Sequence, residues 1–152
     1  MPLVSVIMGS SSDEPVVQET SKVLEELGID YEVRAMSAHR NPDRVREYVL
    51  EAPGRGVEVF IAAAGGAAAL PGVISSWTTR PVIGVPLASS DLNGLDALMA
   101  VAQMPPGVPV ACVAVGAWGA RNAAYLAAAI LGLKYDNIKD AYEQYRQALR
   151  ER

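Results

Sequence analysis

One cysteine, one histidine and one phenylalanine stand in the whole chain, and each scarcity removes a class of function. A lone thiol, Cys112, allows no intrachain disulfide, so a cross-linked secreted scaffold is excluded and a reducing cytoplasm is the expected home. Cys112 also lies inside an apolar run with no His or Arg beside it, which predicts a structural thiol rather than a reactive one. With a single imidazole there is no His-x-x-x-His or paired-Cys spacing, so no metal site is readable. No cluster of Lys or Arg supplies a basic stripe, and the formal charge of −4 argues against a duplex nucleic-acid partner. The longest apolar helical run, Ala123 to Leu133, falls short of the ~20 residues that span a bilayer. Met1-Pro2 leads straight into a short apolar strand pattern, unlike the basic and longer apolar regions of a secretion signal. Charge is thin as well. With 51% hydrophobic against 20% charged residues, so small a body has few charges to cover its outside, which points to a homo-oligomer.

What is present alternates. Leu3 to Met8 is a β-rich run followed by Gly9-Ser10-Ser11-Ser12-Asp13, loop and helix-cap chemistry. A helical stripe runs from Glu14 to Leu27 and ends at Gly28. Tyr31 to Met36 reads as a second strand; Pro42 opens a second helix, which Pro53-Gly54 closes. Val57 to Ala63 is continuously apolar, as a strand buried on both faces is, and Gly65-Gly66 stops it. A short helix over Leu70–Trp77, a strand over Pro81–Val85, a helix over Leu92–Gln103 and a strand over Val110–Val115 complete the pattern. Such alternation predicts one α/β domain over residues 1–152, a parallel sheet with helices on both faces. Ala120 to Leu133 is apolar on nearly every face, whereas Asp136 to Arg152 carries one stripe of Ile138, Ala141, Tyr142, Tyr145 and Leu149. Both are expected to pack between subunits, segment 134–152 on a neighbour.

In such a sheet, ligands bind beyond the carboxyl ends of the strands, where strand order reverses. Three unusual loops share that edge. The turn Gly9 to Asp13 offers three hydroxyls and main-chain N–H groups at a helix start, an anion-binding arrangement, and Asp13 could accept from a ribose diol. The loop Ser37-Ala38-His39-Arg40-Asn41-Pro42 holds the only imidazole, the side chain whose ordinary titration lies nearest neutral pH, beside a permanent cation that grips phosphate bidentately. Gly65-Gly66-Ala67-Ala68 has almost no side chain, so its amides can approach a ligand closely. Ser89-Ser90-Asp91, Asn93-Gly94 and Gln103 to Gly107 are further loops of the same kind. No Walker loop, G-x-G-x-x-G fingerprint or G-x-S-x-G elbow occurs, so nucleotide and redox cofactors and serine hydrolysis lack support. The residues point to proton transfer by His39 on a phosphorylated small molecule, without metal or cofactor.

Met8-Gly9-Ser10-Ser11-Ser12-Asp13, Ser37-Ala38-His39-Arg40-Asn41-Pro42-Asp43, Ala64 to Ala68, Leu70-Pro71-Gly72, Pro81 to Pro86 and Gln103-Met104-Pro105 together resemble the class I N5-carboxyaminoimidazole ribonucleotide mutase family, PurE. The likeness extends from the first strand through Leu133. It implies a three-layer αβα sandwich with a Rossmann-like or flavodoxin-like parallel sheet, assembled as a cytoplasmic octamer, acting in purine (IMP) biosynthesis. It implies that Ser10, Ser12 and Asp13 hold phosphate and ribose, that Ser37 and Arg40 complete the phosphate grip, and that His39 is the general acid and base. The loop of Gly65, Gly66, Ala68, Ala69 and Leu70 would meet the migrating carboxylate through its amides. The family pattern has histidine where Ala69 stands, which implies a reshaped pocket. Two alternatives share the fold: an aminoimidazole ribonucleotide carboxylase using CO2 directly, whose class II loop of Arg-Ser-Asn type is absent here, and a catalytically impaired oligomeric scaffold.

Overall fold

Apart from Ser5, the run Val4–Met8 is apolar, and all five residues are buried, as a strand covered on both faces requires. In the computed structural model, which describes residues 1–152, it is β1 at the centre of a parallel sheet. Helix α1 (Glu14–Glu26) leads to β2 (Tyr31–Ala35), α2 (Pro42–Glu51), β3 (Val59–Gly65), α3 (Leu70–Trp77), β4 (Val82–Leu87), α4 (Leu95–Ala102), β5 (Ala111–Cys112), α5 (Ala117–Leu131) and α6 (Asp136–Arg150). The strand order is β2-β1-β3-β4-β5, so the chain reverses its direction of growth at β1 and leaves a crevice between β1 and β3.

Alternation along the strands divides the core into two layers. Val4, Val6 and Met8 of β1 with Ile61 and Ala63 of β3 pack under α1 and α5. Ile7, Phe60, Ala62 and Ala64 face the other way, onto Val45 and Val49 of α2 and Leu70 and Ile74 of α3. Burying each Ile or Phe side chain contributes roughly 2 kcal/mol. The apolarity of α5 is used inside its own subunit: Ala120, Ala123, Ala124, Ala127 and Ala128 are buried, and the Thr20 hydroxyl of α1 donates to the Ala120 carbonyl at 2.7 Å. Small side chains let the two helices approach closely, so α1 covers this face of α5, while Trp118 on the same helix is exposed. Helix α6 lies over α5, with Tyr142 and Tyr145 stacked on Tyr125.

Several boundaries differ from those the sequence predicts. Beyond α2 the chain continues as a 3-10 turn through Ala52–Arg55 and stops at Gly56, in the left-handed region at φ 107°, because Pro53 is tolerated in the first turn of a new helix. Strand β3 starts two residues late and runs on to Gly65. Strand β4 passes through Pro86, while β5 shrinks to two residues. One cause links both: Gly84 and Pro86 direct their carbonyls at Val113 and Gly116, and Pro86 has no N–H to return, so the β5 ladder ends there.

A polar chain crosses the second layer. The buried Ser5 hydroxyl lies 2.6 Å from the Tyr48 phenol of α2, which donates to Glu32 of β2; Arg55 donates to the same carboxylate at 2.7 Å. Burial, then the hydrogen bond to Glu32, push the Tyr48 phenol up to about 12, so it remains a donor and Ser5 donates to it in turn. Burial raises the Glu32 carboxyl, but hydrogen bonds from Tyr48 and Arg55 outweigh it and hold the group below its ordinary 4.5. A lowered carboxyl stabilises the fold fully above its unfolded value and loses that contribution as pH falls through the folded one. Denaturant midpoints should therefore drop on acidification below 4.5, and Glu32→Gln should make that drop shallower. An unchanged acid slope in the variant would refute the assignment.

Candidate active site

The loops that carry the site leave the sheet at one height. Met8 is level with Ala35 of β2 and with Ala63 of β3, and Gly65 is level with Leu87 of β4. The segments that leave these strands therefore converge, and a cavity of about 300 Å³ opens there, at the lower end of ligand-site volumes.

Ser10, Ser12 and Asp13 line the β1 side. Ser10 is extended and caps the 3-10 turn Ser11–Asp13, its hydroxyl accepting from the Ser12 N–H at 3.3 Å. The two hydroxyls, Ser10 and Ser12, are 2.9 Å apart, and the turn runs directly into α1. Burial lifts the Asp13 carboxyl above its ordinary range, against the pull of the Ser10 main chain. That carboxylate is short of water, and a hydroxyl donor from a ligand would restore what it has lost.

Ser37, His39 and Arg40 form the β2 side, with Ala38 between them. The loop is held at both ends: the Met36 N–H donates to the Met8 carbonyl at 2.9 Å and the Asn41 N–H to the Ser37 carbonyl at 2.8 Å. Asn41 and Pro42 then start α2. Ser37 is buried and its hydroxyl accepts from both the Arg40 main-chain N–H (3.1 Å) and Nε (3.3 Å). The guanidinium is thereby aimed, its remaining donors free for an anion, and the Ser37 hydroxyl proton is left to donate. His39 is open to the cavity and makes no hydrogen bond within the chain, so its ring nitrogens are available to a ligand.

The floor is Ala64, Gly65, Ala68, Ala69 and Leu70. Gly66, at φ 59°, does not line the cavity; it supplies the turn, and Ala68 adopts the left-handed region too, at φ 44°. For a residue with a side chain this costs of order 1–3 kcal/mol and tends to gather at functional sites. The turn closes with the Ala68 N–H donating to the Gly65 carbonyl at 3.0 Å. Ala69 is the cap of α3 and gives it no side-chain hydrogen bond, so the N–H of Leu70, which lines the cavity, has no cap partner and is the kind of donor a carboxylate takes.

All the candidate site residues of the sequence meet here except Gly66. The addition is Ser89, just past β4; its serine-rich loop is visible in the sequence, but its neighbourhood to Gly65 depends on the pairing of β3 with β4. Asn93-Gly94 and Gln103 to Gly107 stay outside the cavity.

Over residues 3–152 the chain matches the family described as AIR carboxylase. It is 54% identical over 150 residues to the N5-carboxyaminoimidazole ribonucleotide mutase of Pyrococcus abyssi, covering 99% of this chain and 85% of that protein. The mutase of the same name from Bacillus subtilis is 47% identical over 146 residues, covering 96% and 90%. Among solved structures, Treponema denticola PurE superposes with a TM-score of 0.90 at 30% identity, over 99% of this chain and 93% of that one.

Proposed function

This chain belongs to the AIR carboxylase family, and we propose that its cavity performs the reaction for which those relatives are named, as an N5-carboxyaminoimidazole ribonucleotide mutase of purine biosynthesis. The observation that carries this reading is the meeting of one imidazole, one aimed guanidinium, a hydroxyl-rich turn and a helix start in a single cavity.

Arg40 and the Ser10 and Ser12 hydroxyls hold the phosphate, with the Ser37 hydroxyl aiming the guanidinium; Asp13 accepts from the ribose diol. The carboxylate lies against the amides at Ala68 to Leu70. His39 gives a proton to the exocyclic nitrogen as the nitrogen–carbon bond breaks, which releases CO2 inside the cavity. The ring carbon then bonds to that CO2, and His39 recovers the proton this carbon loses. Protons balance, and no metal or other cofactor is called upon. Shielding from water keeps the released CO2 from escaping. Ala69 contributes only a methyl group to the floor, so His39 acts as the single imidazole.

The surface supports a homo-oligomer, an octamer by family likeness. Trp118 is 81% exposed, Leu133 91% and Met99 62%, and a second copy would remove these apolar groups from water. A reducing cytoplasm suits the lone Cys112.

The test supplies purified protein with either the N-carboxylated nucleotide or aminoimidazole ribonucleotide plus bicarbonate and tracks the ring-carboxylated product. Rapid product from the first and far slower product from the second is the expected result. Product from the second substrate alone would make the protein a direct carboxylase, and product from neither would reject the site.

A further inference from the structure

Strand β4 also reaches the cavity, through a residue that the carboxylate transfer does not use. Ser89 lies on the β4 side, whereas Arg40 comes after β2. The strands run β2, β1, β3, β4 across the sheet, so three strand spacings, ~14 Å, separate the two sides. The Ser89 hydroxyl rests 1.6 Å from the point where a β-carbon on residue 65 would stand. Only glycine at 65 leaves that space open. The neighbouring Ser90 is fully engaged, donating to Asp96 Oδ2 at 2.5 Å and accepting from the Leu92 N–H at 3.2 Å. Ser89 has no hydrogen-bond partner in the chain, yet its hydroxyl, at once donor and acceptor, borders a polar cavity.

Phosphate needs a cation, and the one permanent cation lining the cavity, Arg40, stands on the β2 side. A nucleotide anchored there must extend its ring across β1 and β3 towards β4. Resting on the substrate assignment, we propose that Ser89 hydrogen-bonds the heterocyclic end of the nucleotide, at its exocyclic nitrogen or the carboxylate it carries. It thereby sets the angle of the ring against His39, and Gly65 is glycine to make room for this contact. Ser89 is then a specificity-determining residue that distinguishes the nucleotide from its bare sugar phosphate.

The experiment compares Ser89→Ala with wild type and with Arg40→Ala, measuring affinity for the carboxylated nucleotide and for ribose 5-phosphate, which lacks the ring. Ser89→Ala breaks no hydrogen bond within the chain, so its melting temperature should match wild type. It should weaken nucleotide binding roughly three- to tenfold if the partner is the exocyclic nitrogen and about 10- to 150-fold if it is the charged carboxylate, while ribose 5-phosphate binds as before. Gly65→Ala should reproduce the loss by displacing the hydroxyl, and the double variant should fall no further than Gly65→Ala alone. Equal weakening of both ligands by Ser89→Ala, or of neither, would overturn the proposal. The substrate assignment fails separately, if Arg40→Ala leaves ribose 5-phosphate affinity untouched.

Discussion

Replacing His39 by asparagine should lower turnover about 10²- to 10⁴-fold, the range that a positioned general acid or base supplies, while nucleotide affinity stays within a few-fold of wild type. Asparagine keeps a polar group of similar reach but cannot take up and return a proton. The groups proposed to hold the phosphate are on other residues: the Ser10 and Ser12 hydroxyls are fixed by their own turn, and the Arg40 side chain is fixed by Ser37. Nothing in the chain depends on the imidazole for its position. Single-turnover rates together with calorimetric titration of the nucleotide separate the two effects. A loss of affinity as large as the loss of rate would make His39 a binding residue and leave the proton without a carrier.

Arg40→Ala should act in the opposite sense. Hydrogen bonds to charged groups contribute about 1.5–3 kcal/mol, so the dissociation constant for nucleotide should rise roughly 10- to 150-fold, with turnover at saturation changing far less. Lysine should restore only part of the loss, because it brings the charge without the planar fork that matches phosphate or the Nε donor that Ser37 holds. Titrations at low and high salt give a further check: the wild type should lose affinity as ionic strength rises, and Arg40→Ala should lose less. Equal affinity in wild type and Arg40→Ala would place the phosphate elsewhere.

The starts of α1 and α2 are legible in the chain, whereas α4 begins three residues after the predicted Leu92 and α5 three before Ala120. Pro42 and the Ser/Asp cluster before Glu14 act within one turn, so their effect is local and α1 and α2 begin where the sequence indicates. The site loops are legible for a related reason, since a loop after each parallel strand must emerge at the same edge. Strand lengths are not, because pairing sets them: β5 carries six residues of suitable pattern, but the missing N–H of Pro86, on another strand, limits its ladder. The packing of α5 is hidden likewise. A helix apolar all round must be buried, but its own sequence does not say against what, and Thr20 and the alanine face decide for α1. Gly66 reads as a binding residue in the sequence because glycine both turns a chain and admits a ligand; its positive φ assigns it to the first task.

Ser5 gives β1 something that its apolar neighbours do not. Four hydrophobic side chains covered on both faces would pack almost as well if the strand slid along its neighbours, so they offer weak discrimination between alignments. Sliding by one residue would bury that hydroxyl against α1 and α5 and take away the phenol that answers it, at the cost of a stranded polar group. A single oxygen thereby specifies how far β1 extends, and with it the height at which the serine turn meets the histidine loop.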